Sequence, residues 1–231
     1  MGISKKTQPR SSVKTPVESI SLSDQAYHQL EQLIVTMELA PGAPVSEAQL
    51  SDLLGIGRTP IREALQRLSR EHLVSILPNR GIFIADLNPQ KQLRVLETRR
   101  ELERLICSKA AKRATASERE EFGRIAKDFE RAAKEKNENL FIRVDKELND
   151  LTLLASKNEY AASAMAMLHG MSRRFWFGNF YQVADLALAS KLHADIAKAI
   201  ANADEKKAGI ALDKLLDYIE AFTRKTVFLD D

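Results

Sequence analysis

The run Leu54-Gly55-Ile56-Gly57-Arg58-Thr59-Pro60-Ile61-Arg62-Glu63-Ala64-Leu65 decides how this 231-residue chain is read. Just upstream, Ser46 with Gln49 three residues on is a capping-box pattern, and Leu50, Leu53 and Leu54 follow as an apolar stripe at helical spacing. Gly55 is placed to stop that helix, because glycine takes a left-handed backbone without steric cost. Thr59 reads as the N-cap of a second helix and Pro60 as its first residue, where a missing amide costs nothing. Ile61, Ala64, Leu65 and Leu68 fall on an inward face, while Arg58, Arg62 and Gln66 share another. Two helices joined by so short a turn form a helix-turn-helix. A helix start flanked by arginines suits phosphate, and an arginine fork matches guanine O6 and N7 in the major groove. For one arginine pair alone, a solvated basic face is the competing account.

The stretch that follows reads as a wing. Leu73-Val74-Ser75-Ile76 and Ile82-Phe83-Ile84 flank Pro78-Asn79-Arg80-Gly81, a turn composition, so the spacing predicts a β-hairpin. Arg80 at its tip has no core role, and a minor groove or a phosphate is its natural target.

At this length two domains, each with its own core, are expected, and a net charge of +3 excludes a polybasic coat protein. Lys5, Lys6, Arg10 and Lys14, with no acid in the first sixteen residues, predict a disordered basic arm over residues 1–18. No apolar run approaches the roughly 20 residues of a membrane span, so a cytoplasmic protein is expected. The single Cys107 cannot form an internal disulfide; at helical spacing among Leu102, Leu105 and Ile106 it reads as a buried apolar residue.

Asn88-Pro89 is a cap followed by a first-position proline, and no proline occurs after it. The remainder predicts six helices, at about 89–114, 117–136, 138–155, 158–181, 185–202 and 204–228, with Ser117 and Glu120 as a second capping box. No fixed-period repeat emerges, so the expectation is a compact antiparallel bundle. The fold class is therefore mainly α. A winged helix-turn-helix of three helices and a hairpin, over residues 19–86, precedes an all-helical domain over 87–231.

The stretch Leu39-Ala40-Pro41-Gly42, with Glu47, Leu50, the quoted run, Leu68, Glu71, Leu73-Val74 and Pro78-Asn79-Arg80-Gly81, resembles the GntR family of bacterial transcription regulators. The resemblance implies that Arg58, Thr59 and Arg62 contact DNA from the recognition helix, with Arg80 and Gly81 in the wing. Gln66 joins them on the shared face. Many members carry arginine one or two residues after the glutamate matching Glu47. Here Ala48-Gln49 stands instead, and Gln49 either replaces that contact or belongs to the cap.

The helical remainder resembles the FCD domain of FadR-type regulators, in its shorter six-helix, VanR-like variant. That resemblance implies a divalent metal held by an aspartate and three histidines beside a carboxylate effector. Asp145 and His193 match the pattern, but Asn149 stands where one histidine belongs and Leu215 where the last does. Asparagine is a poor zinc ligand and leucine cannot coordinate, so at most a weak zinc or nickel site is expected, with His169 as a possible substitute. Arg99 matches an Arg-x-x-Leu-Glu pattern that the family places at the effector. Without a metal, Arg99 and Arg173 are the candidates to pair an effector carboxylate, since a guanidinium does so bidentately. Arg174 is a further candidate. Phe175-Trp176-Phe177 and Tyr181 either line an apolar pocket or serve as core and dimer contacts.

The expected function is a homodimeric regulator, most simply a repressor, binding a palindromic operator in double-stranded DNA and modulated by a small organic acid. A regulator with a degenerate pocket that senses nothing is one alternative. An all-helical metal-dependent enzyme is another, but no phosphate loop and no recognisable pair of catalytic carboxylates supports it.

Overall fold

A computed structural model of the chain describes residues 20–183 and 185–227. The expected basic arm over 1–18 lies outside the described residues.

The N-terminal unit begins with α1 (Leu22–Val35), capped by Ser21, whose hydroxyl accepts from the Asp24 amide at 3.0 Å. Strand β1 (Pro44–Val45) leads into α2 (Glu47–Leu54). The Ser46 hydroxyl caps α2 by accepting from the Gln49 amide at 3.2 Å, and Gly55 closes it in the left-handed region at φ 64°. Helix α3 spans Arg58–Arg70. It starts two residues earlier than the threonine cap predicts: Gly57 is the N-cap, contributes no side-chain bond, and leaves Thr59 inside the first turn. Pro60 still costs no hydrogen bond there, because first-turn amides have no partner within a helix. Leu50 is buried and Leu54 half-buried, but Leu53 is 60 % exposed, so the apolar stripe of α2 is narrower than its spacing predicts.

Strands β2 (Val74–Leu77) and β3 (Gly81–Ile84) form the expected hairpin, with Ser75 opposite Phe83 and Leu77 opposite Gly81. Asn79 takes φ 60° at the turn, and the Arg80 amide donates to the Leu77 carbonyl at 3.1 Å. The short β1, which the sequence did not reveal, pairs antiparallel with β3 and makes the sheet order β1-β3-β2. Two residues are too few to show alternation. Leu30, Ile34, Ile61, Leu65, Leu68, Leu73 and Ile84 form the core, none more than 1 % exposed. Above it, the Tyr27 hydroxyl donates to Glu71 at 2.8 Å while the Arg67 guanidinium lies 3.5 Å over the Tyr27 ring, bracing α1 against α3.

The rest of the described chain is helical: α4 (Pro89–Arg113), α5 (Ala116–Glu135), α6 (Glu138–Ser156), α7 (Glu159–Val183), α8 (Leu186–Ala201) and α9 (Glu205–Val227). Asn88 caps α4 with Pro89 at the first position, as its sequence predicts. The expected box at Ser117 and Glu120 sits two residues too late. Ala114 leaves the helical region at ψ 132°, so α5 begins sooner and Thr115 with Glu118 makes the reciprocal bonds. α5 packs along α8, and α4 along α9. Phe122 and Phe129 are fully buried between them, and Cys107 is buried nearby, where desolvation pushes its thiol up.

Helix α7 joins the two units. A Cβ added to the buried Gly170 would lie 2.8 Å from Cδ1 of Leu73, itself a fully buried residue of the winged unit. Glycine is what allows so close an approach. One turn further, the Arg173 guanidinium donates to Glu31 of α1 at 3.2 Å. Both partners of that bond are about four-fifths shielded from solvent, so it is worth more than a surface pair.

Candidate nucleic-acid interface and ligand pocket

On the winged unit, Arg58, Thr59, Arg62 and Gln66 are all exposed on α3, and Arg80 and Gly81 are exposed on the wing. The uncapped start of α3 leaves first-turn amides pointing outward beside Arg58, which is an anion-binding arrangement. Arg62 reaches across to α2, donating from Nε and Nη2 to the two carboxylate oxygens of Glu47, each at 2.7 Å. That fork fixes the guanidinium in place and holds the Glu47 carboxyl below its ordinary range. Gln49 stands in the cap: its Oε1 accepts from the Ser46 hydroxyl at 3.0 Å.

In the bundle, Arg99, Asp145, Asn149, His193, Arg173 and Leu215 come from five helices to line one cavity, together with His169 and Trp176. It measures about 70 Å³ and adjoins a second cavity of about 40 Å³ that shares Arg99, Asp145, Asn149, His169, His193 and Leu215. Most of the charged groups inside are already paired. Arg99, 8 % exposed, donates to Glu103 one turn along α4. His193 Nδ1 lies 2.7 Å from the Ala189 carbonyl, an acceptor only, so Nε2 is the ring atom turned to Asp145 Oδ1 at 3.2 Å. Burial works to raise the Asp145 carboxyl, but the hydrogen bond and charge of His193, followed by Arg173 and His169, outweigh it and hold it low. Burial holds His169 below the ordinary histidine value. The His193 ring stacks on Phe129 at 5.1 Å and meets Phe141 edge-on.

This donor set does not fit the metal that an FCD domain implies. Leu215 presents hydrocarbon where a fourth ligand belongs, and the Asn149 amide is a poor ligand beside imidazole. Among the described residues, no three His, Cys, Asp or Glu side chains converge closely enough to hold one. His169 reaches the same cavity without completing a set.

Of the aromatic cluster, Trp176 and Phe177 line the cavity, whereas Phe175 is a core residue, 3 % exposed and edge-on to Phe222. The Tyr181 side chain lies outside what is described. Two residues that the sequence did not single out matter here. Val35, the last residue of α1, forms part of the cavity wall, and Glu31 one turn before it holds Arg173. Their only signal is an apolar residue and an acid four apart, off the stripe of Ala26, Leu30 and Ile34 that α1 turns to its own core.

Comparison with known proteins agrees with this two-part architecture. The sequence model of bacterial regulatory proteins of the gntR family matches residues 22–84, and that of the FCD domain matches residues 94–218, more than half of the chain. The chain belongs to the GntR family. A regulator of this helix-turn-helix type from Streptomyces ambofaciens is 43 % identical over 65 residues, which is 28 % of this chain and little more than a quarter (28 %) of that protein's own length. The HTH-type transcriptional repressor RspR of Escherichia coli is 24 % identical over 195 residues, 84 % of each chain. The structure of Escherichia coli McbR/YncC superimposes with a TM-score of 0.78 at 18 % identity, covering 90 % of this chain and all of that one, and shows the shared fold. These relatives and domains are those of transcription regulators, not enzymes. Among the described residues of this GntR protein, no helix is long and apolar enough to cross a membrane.

Proposed function

We propose that this GntR protein is a ligand-responsive DNA-binding regulator, most simply a repressor, acting as a homodimer on a palindromic operator. Arg58, Thr59, Arg62 and Gln66 of α3 read the major groove, and Arg80 and Gly81 of the wing reach the adjacent backbone or minor groove. The two parts divide near residue 86.

The effector is a small organic acid of a few heavy atoms, bound in the bundle cavity without a metal. Cavities of about 70 and 40 Å³ leave no room for a long chain. Arg99 and Arg173 supply the cationic groups, Asn149 a neutral donor, and Asp145 with His193 sets the polar floor. The observation that carries this reading is the wall shared with the winged unit: Val35 of α1 faces the cavity and Glu31 of α1 holds Arg173. A carboxylate that draws Arg173 away from Glu31 acts directly on the helix that braces α3. Such a ligand distinguishes two placements of the winged unit, the requirement for altering DNA affinity.

A fluorescence-anisotropy titration of a duplex from upstream of the protein's own gene tests the reading. Saturable, salt-sensitive binding that shifts at least fivefold with a small carboxylate, and not on adding EDTA, is expected. Binding indifferent to every small acid favours a pocket that senses nothing.

A further inference from the structure

Consecutive arginines on α7 meet different cavities. Arg173 belongs to the pocket just described. Arg174 lines a separate cleft of about 510 Å³ between the two units, bounded by β2, the segment after β3, the first turns of α4, and α7. Arg174 is only 2 % exposed, yet its Nε and Nη2 have no hydrogen-bond partner among the described residues. The other two interior arginines of this region are satisfied, Arg99 by Glu103 and Arg173 by Glu31. Burial works against the charged form of Arg174, and Asp86 is the group that offsets it.

A guanidinium buried without an acceptor is costly, and its donors are spaced to take a carboxylate along one edge. Both Nε and Nη2 are shielded from the open volume as the side chain stands, so an acceptor in the cleft that Arg174 lines would meet the guanidinium after a rotation of the side chain toward it. Val74, Val95, Leu168, Met171 and Phe175 supply apolar walls around it. We propose that this cleft is a second ligand site, distinct from the bundle pocket, that takes an organic monocarboxylate. Its carboxylate pairs with Arg174, and its hydrocarbon body lies along those walls. The apolar walls suit a ligand with a hydrocarbon body, which inorganic phosphate lacks. Lys91 and Arg94, both exposed and lining the same cleft, favour entry of an anion. The site touches β2 and the inter-unit segment on one side and α4 and α7 on the other, so an occupant ties the winged unit to the bundle. This inference does not depend on what fills the cavity at Arg99 and Arg173.

Equilibrium dialysis of the full-length protein against hexanoate, with thermal melting in parallel, tests it. Wild type and Arg99→Met are expected to share a saturable hexanoate equivalent that Arg174→Met lacks. Arg174→Met should melt no lower than wild type in buffer, because an unpaired buried cation is gone, but hexanoate should no longer raise its melting temperature. If Arg174→Met melts lower, Arg174→Lys decides: binding regained about tenfold weaker upholds the site, and binding not regained removes it. No saturable hexanoate binding by wild type overturns the proposal. So does unchanged binding by Arg174→Met, or Arg174-dependent binding of inorganic phosphate in place of hexanoate.

Discussion

In the winged unit the candidate contact residues point out of the protein, whereas in the bundle they line a cavity and its charged members already have partners. Arg58, Thr59, Gln66 and Arg80 stand exposed, and Arg62 has the single partner Glu47. Inside the bundle Arg99 has Glu103, Arg173 has Glu31, and Asp145 has His193. An outward site needs only the right side chains at the right helical spacing. An inward site works by exchange, since a ligand binds there by replacing a partner, and the displaced partner is what transmits the event. For Arg173 that partner belongs to the other unit.

The contrast can be broken most forcefully from the core. Phe129→Ala should destabilise the protein by about 3–5 kcal/mol, because it empties the space under His193 and Phe141. Denaturant unfolding measures that loss. DNA affinity per folded molecule should stay at the wild-type value, and a parallel fall would mean the units are not separable in this way. Next in size, Arg62→Ala should weaken operator binding by about 1–3 kcal/mol and flatten its salt dependence, with melting unchanged because the Glu47 pair is exposed. Thr115→Ala should cost about 1 kcal/mol of stability by removing the cap of α5, without moving DNA affinity at all. The smallest effect concerns pH. Lys157, then the Thr115 amide, holds the Glu118 carboxyl below its ordinary value, so that stabilisation is present above the unfolded-state value near about 4.3 and fades as pH falls through the folded one. Glu118→Gln should therefore flatten the stability profile between about pH 5 and 3, as acid titration followed by circular dichroism would show.

Legibility followed the same divide. Gly55, Asn88-Pro89 and the turn at Asn79 act through local backbone chemistry, and each lies where its residues indicate. The caps expected at Thr59 and Ser117 each lie two residues earlier, because several hydroxyl and small residues adjoin each helix start and tertiary packing selects among them. In the bundle, the resemblance to the FCD domain named residues of the cavity, but not their partners. That Glu103, one turn along α4, bonds Arg99 lies within reach of an i,i+4 rule. That Glu31, 142 residues from Arg173, bonds it does not, since only the docking of α7 on α1 brings them together. The same docking creates the cleft at Arg174, and nothing in the local sequence distinguishes that arginine from its neighbour.

The link between Glu31 and Arg173 is where the pocket meets the DNA-binding unit, and Glu31→Gln probes it with little change of shape. Operator affinity should be measured by anisotropy with and without a saturating small carboxylate, in wild type and in Glu31→Gln. The account predicts a ligand-induced change of at least about fivefold in wild type that shrinks toward none in the variant, whose Arg173 no longer has a charged partner to leave. An undiminished ligand response in Glu31→Gln would contradict it.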